Sequence, residues 1–93
     1  MKIGVLTIEF RLIGCRSLKE KRKRMGGLHN RFGKQPNLAV CESGYRNNHR
    51  LARWAFITAN LDQKEIDRTF AFIEEKAPLR VDAQIINIDR ELF

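Results

Sequence analysis

From Leu6 to Leu12 the chain alternates, with Leu6, Ile8, Phe10 and Leu12 on one side and Thr7, Glu9 and Arg11 on the other. A period of two marks a half-buried strand, so residues 2–12 form the first strand. Gly14 supplies the turn that follows, and Ser17 with Glu20 makes an S-x-x-E capping box at the start of a helix. Along that helix Leu18, Met25, Leu28 and Phe32 share one apolar arc, while Lys19, Lys23, Arg24 and Arg31 point outward. Lys21 falls inside the arc, where its stem lines the core rim and its ammonium is expected to snorkel to water. Gly26 and Gly27 each cost about 1 kcal/mol relative to Ala in mid-helix, so a bend or fraying is expected there. Gly33 and Pro36 end the helix.

The next segment, "LAVCES", is a second strand with Leu38 and Val40 inward and Ala39, Cys41 and Ser43 outward. In "GYRNNHR" the turn chemistry belongs to Gly44, Asn47 and Asn48, the residues suited to positive φ. "LARWAFITA" is a third strand, with Trp54 and Phe56 on the face opposite Arg53. Asp62 and Glu65 open a second helix that carries Ile66, Phe70, Ile73 and Ala77 on one stripe and closes at Pro78. The run "RVDAQIINI" is a fourth strand, and its apolar parity switches between Ile85 and Ile86, the sign of a bulge or of burial on both faces.

The order βαββαβ, without repeats, linkers or low-complexity segments, predicts a single α+β domain over residues 1–93. Its fold is ferredoxin-like, a four-stranded antiparallel sheet with two helices on one face. Right-handed crossovers then put the loop after strand one, the hairpin between strands two and three and the loop into strand four at the same end of the sheet.

Charge changes the picture. Residues 1–50 hold 12 Lys and Arg against 3 Glu, giving +9, while residues 51–93 hold 6 against 8 acids, giving −2. Such asymmetry predicts a polyanionic partner for the first half, with RNA or the ribosome foremost. The expected phosphate contacts are Arg16, Lys19, Arg22 and Lys23 at the start of helix one and Arg46, His49 and Arg50 in the hairpin, with Tyr45 as a base-stacking ring or a lid and Arg80 nearby. A helix N-terminus adds unpaired amides and a positive dipole end, and cations placed there repel it by about 0.3 to 1 kcal/mol each unless an anion is bound.

Other chemistry is sparse. With 93 residues there is little room for both a core and a deep catalytic cleft, so a non-catalytic binding module is expected rather than an enzyme. No motif for a cofactor occurs, and Cys15 and Cys41 lack the spacing of a metal site or disulfide framework. No apolar run approaches a membrane span and no signal-peptide pattern appears, so a cytoplasmic protein is expected. "RWAFI" has the look of an RNP1 strand that stacks RNA bases, but strand one has no exposed aromatic to match it, so Trp54 and Phe56 are read as core. The open sheet face, with Ile3, Val5, Thr7, Ala39, Cys41, Ala55, Ile57 and Ala59 beside Glu9, Arg11 and Arg53, is a candidate homodimer surface.

The run Ser17, Leu18, Lys19, Glu20, Lys21, Arg22, followed by Arg31, Phe32, Val40, Glu42 and the "INIDREL" ending, resembles the YlxP-like family of small bacterial proteins, a domain of unknown function. That resemblance covers nearly the whole chain and implies a ferredoxin-like fold, no catalytic residues and, for members found beside translation genes, a link to RNA or the ribosome. The hairpin "SGYRNNHR" departs from the acidic residues common in that family. A more distant analogy, to acylphosphatases, rests on the position of Arg16 alone: their G-x-V-Q-G-V-x-F-R loop is absent, and Asn60 would have to orient the water.

Overall fold

The alternation of the first strand holds along its length. In the computed structural model, which describes residues 1–93, β1 (Lys2–Arg11) turns Leu6, Ile8 and Phe10 into a fully buried row. β3 (Leu51–Asn60) pairs with it antiparallel, from Lys2 opposite Asn60 to Arg11 opposite Leu51. β2 (Ala39–Gly44) adds to the far side of β3 and β4 (Gln84–Leu92) to the far side of β1, giving the order β2-β3-β1-β4. The fold is the expected α+β ferredoxin-like one.

β4 starts later than its hydropathy suggests and runs on through "INIDREL". Val81 to Ala83 are withheld from the sheet because the Asp82 amide donates to the Arg24 carbonyl at 3.0 Å and its own carbonyl accepts from Arg24 Nε at 2.8 Å. The parity switch is a bulge: Phe10 faces Ile85 and Glu9 faces Asn87, leaving Ile86 unpaired.

The first helix is divided into α1 (Leu18–Met25) and α2 (Gly27–Phe32), with the break at Gly26. Gly27 is there for close approach, since a Cβ on it would collide with the backbone carbonyl of Arg80. α3 (Gln63–Lys76) is capped by Asp62, whose Oδ1 accepts from the Lys64 amide at 2.9 Å, and Pro78 lies in the 3-10 turn that follows. Its Ile66, Phe70 and Ile73 close a core shared with Leu28, Phe32 and Phe56, in which the rings of Phe32 and Phe56 meet edge to face at 5.7 Å. Phe56 is fully buried and Trp54 packs beside it, so the aromatic stripe of β3 belongs to the core. No helix is long and apolar enough to cross a membrane.

Because Arg11 faces both Leu51 and Gln84, the β1–α1 loop, the β2–β3 hairpin and the entry to β4 do lie at one end of the sheet. The Leu12 amide, donating to the Arg50 carbonyl at 2.9 Å, ties two of them together.

Candidate functional site

The end where α1 meets the hairpin is organised by Lys21. Its place in the apolar arc of α1 carries the side chain inward, and it is 3% exposed, so the ammonium does not reach water as expected. Instead Nζ donates to the carbonyls of Tyr45 at 2.6 Å and Asn48 at 2.8 Å and sits 3.3 Å from Glu42 Oε2. Glu42 follows Leu38 and Val40 on the helix-facing side of β2, which is why a carboxylate waits there. A buried ammonium needs such partners, because an unpaired charge in this position would cost several kcal/mol.

The hairpin is shaped around that grip. Tyr45, rather than Gly44 or the two Asn residues, holds the positive φ of 58°. For a bulky residue this conformation costs about 1–3 kcal/mol and persists only when its surroundings enforce it. Here Lys21 holds the Tyr45 carbonyl while the ring lies over the Arg53 guanidinium, 4.7 Å away. Asn48 completes the turn, its Oδ1 accepting from the amides of Arg50 at 2.8 Å and Leu51 at 3.2 Å. The Tyr45 ring thus stacks on Arg53, on the open-face side of the sheet.

The N-terminus of α1 is capped by Ser17. Ser17 Oγ accepts from the Glu20 amide at 3.0 Å. Desolvation works to raise the Glu20 pKa, but the hydrogen bond from Arg24 at 3.3 Å and the Arg24 charge help to hold it below the usual 4.5. Since α1 ends at Met25, Arg22, Lys23 and Arg24 lie in its last turn, where the dipole favours cations. The expected dipole repulsion falls away for Arg22 and Lys23. Arg24 is not a free outward cation either: it donates to the carbonyls of Ile13 at 2.9 Å and Asp82 at 2.8 Å and pairs with Glu20.

What remains free is a set of exposed cations around this end. Arg16, Lys19, Arg22, Lys23 and Arg50 are exposed and have no carboxylate partner, whereas Arg46, 78% exposed, pairs with Glu42 at 3.6 Å. Two clefts gather several of them. One, of about 400 Å³, is lined by Arg11, Arg16 and Arg50 between the β1–α1 loop and the hairpin. The other, of about 580 Å³, lies between α1 and the hairpin, with Leu18, Met25 and Trp54 as apolar lining and Arg22, Arg46 and Asn47 beside Lys21 and Glu42. Lys23 lies on the opposite flank of α1 with Arg80. His49 is half-buried in the hairpin.

The acylphosphatase-like alternative loses its geometry. Asn60 faces Lys2, so it sits a full ten-residue strand, about 30 Å, from the end that holds Arg16, and the two cannot share an acylphosphatase-like site. Cys15 is buried with its thiol directed at the Ser17 carbonyl at 3.4 Å, while Cys41 is exposed. On the open face Ile3 and Ile57 are exposed at one end, and Glu9 and Arg53 pair at 3.6 Å, joined by Asn87.

A model of a protein family of unknown function, DUF503, matches residues 3–90. The chain belongs to the DUF503 family. No curated protein matches this DUF503 chain significantly. Among solved structures it is similar to the structural-genomics protein YJCS, 13% identical over 96% of both chains with a TM-score of 0.57. It is also similar to TA0507, a protein provisionally described as a chlorite dismutase, with 13% identity and a TM-score of 0.52. That match spans 99% of this chain and 44% of the other. At such identity the likeness is one of fold.

Lys21, Glu42 and Trp54 are the residues that reading for surface charge passes over. A signal for two of them was present: a lysine in an apolar helical arc and a carboxylate in the inward parity of a strand call for each other.

Proposed function

We propose that this DUF503 protein is a non-catalytic RNA-binding or ribosome-associated module that grips phosphates with Arg16, Lys19, Arg22, Lys23, Arg46 and Arg50. The observation that carries the reading is the uneven ion pairing of the surface. Of the 12 Lys and Arg in residues 1–50, only Lys21, Arg24 and Arg46 have an ion pair, against Arg53, Arg68, Lys76 and Arg90 among the 6 in residues 51–93. Cations without internal partners meet a polyanion with no pair to break first, and the gain comes from counterions released by the phosphates. The likeness of residues 17–22 to the S-L-K-E-K-R run of YlxP-like proteins supports the same reading, with Lys21 of that run holding the hairpin in place and Arg22 free beside it.

The test is binding of the nucleic-acid-free protein to ribosomal subunits and to a short structured RNA over about a tenfold range of salt. Log affinity is expected to fall linearly with log salt, by about 0.7 to 0.9 per phosphate neutralised. No binding at low salt, or binding indifferent to salt, contradicts the reading.

A further inference from the structure

The cleft between α1 and the hairpin differs from the rest of the basic end because it has an apolar floor. Leu18 and Met25 of α1 and Trp54 of β3 line it, while Arg22 stands on the helix side and Arg46 and Asn47 on the hairpin side. The volume of the cleft, about 580 Å³, lies in the range that takes a small organic ligand.

Trp54 is half-buried, and its Nε1–H is the one buried side-chain donor or acceptor in the protein without a hydrogen-bond partner. Leaving such a donor unmet costs about 1–3 kcal/mol, so the residue beneath the cleft carries a polar group that nothing in the chain satisfies. The Glu42 carboxylate, which would otherwise repel an anion here, is matched by Lys21 at 3.3 Å and Arg46 at 3.6 Å.

Resting on the RNA reading, we infer that this cleft receives one unstacked nucleotide, its base over Leu18, Met25 and Trp54 and its phosphate between Arg22 and Arg46. The chemistry matches part by part. Bases gain about 1–3 kcal/mol from stacking on an aromatic side chain, and a methionine thioether is a soft, polarizable neighbour for a π-face. Two guanidinium groups on facing walls suit a phosphate that can accept from both. The Asn47 amide offers a donor and an acceptor to a base edge. A base can enter only when it is out of its stack, so the ligand is a single-stranded or looped segment rather than a continuous duplex. A free mononucleotide carries the same base and phosphate.

Trp54 is the only tryptophan, so its emission reports on this cleft alone. The probes are AMP and UMP, a short single-stranded RNA, and inorganic polyphosphate as a phosphate chain without bases. Each is followed by tryptophan emission, with RNA binding also read by anisotropy of a labelled strand. The expected result is saturable quenching of Trp54 by the RNA and the mononucleotides and none by polyphosphate. The variant Arg22→Glu/Arg46→Glu, with unchanged melting temperature, should weaken the quenching at least tenfold.

RNA that binds by anisotropy while Trp54 emission stays fixed overturns the inference and leaves the phosphate grip standing. Quenching by mononucleotides without any RNA binding upholds the cleft as a nucleotide site and overturns the RNA reading. Equal quenching by polyphosphate, or quenching indifferent to the double variant, overturns the inference, and silence in both readouts overturns both.

Discussion

The Lys21 ammonium and the Glu42 carboxylate meet 3.3 Å apart where α1 crosses the base of the β2–β3 hairpin, and the same ammonium holds two carbonyls of the hairpin turn. The pair joins segments 21 residues apart in sequence and fixes the position of Arg46 and Asn47 relative to Arg22. Replacing Lys21 with Met leaves Glu42 and two carbonyls without their cation, and a broken buried pair costs about 3–5 kcal/mol. Because Glu42 keeps 25% of its side-chain exposure, the lower end, about 3 kcal/mol, is expected in urea unfolding. A loss under about 1 kcal/mol means that the hairpin does not depend on Lys21.

Gly27→Ala tests the contact between the helices and the loop after α3. In an open helix this change stabilises by about 1 kcal/mol through propensity. Here the new Cβ runs into the Arg80 backbone carbonyl, so thermal unfolding should show destabilisation, by about 1–3 kcal/mol. The sign alone decides.

Glu20 sets an acid-side dependence. Its pKa in the folded protein lies below the usual 4.5, so near pH 4 the unfolded chain binds more protons than the folded one. The contribution is therefore complete above pH 4.5 and is lost as the pH falls through the lowered value. Unfolding curves between pH 6 and pH 3 should show a shallower acid loss for Glu20→Gln than for the parent; an unchanged slope removes Glu20 as the cause.

Thiol labelling separates the two cysteines. A bulky disulfide reagent should react with Cys41 at once and with Cys15 only at the rate of unfolding, since Cys15 is buried and Cys41 exposed. Fast reaction at both sites contradicts the packing of the β1–α1 loop.

The fold was legible because its signals are local and mutually consistent. Alternation in β1, the Ser17 and Asp62 caps and the stripe of α3 each name an element, and the βαββαβ order leaves few topologies. Even the bulge at Ile86 showed as a change of parity. The start of β4 did not, because Val81 reads as a strand residue while the hydrogen bonds that keep Asp82 out of the sheet come from Arg24, 58 residues away. The candidate site was half legible. Topology brought Arg16 to Arg50 and Arg22 to Arg46, and the glycine pair announced the break at Gly26, but not its consequence, that Arg22 and Lys23 then stand at the favourable end of a short α1. Tyr45 in the left-handed region was likewise hidden, since composition points to Gly and Asn, and only the holds on its carbonyl and ring make it the residue that turns.

The most direct test of the phosphate grip compares two charge reversals with the same net charge. Arg22→Glu/Lys23→Glu alters the basic end, and Lys2→Glu/Lys64→Glu alters unpaired cations at the opposite end of the sheet, each taking the chain from +7 to +3. RNA affinity is measured for both against salt. The first should lose at least about tenfold in affinity and about 1.4 in log–log slope, the share of two single-strand phosphates, with little change in the second. Equal losses in the two variants would mean that net charge alone attracts the RNA, and that the end built by Lys21 and the hairpin is not the grip.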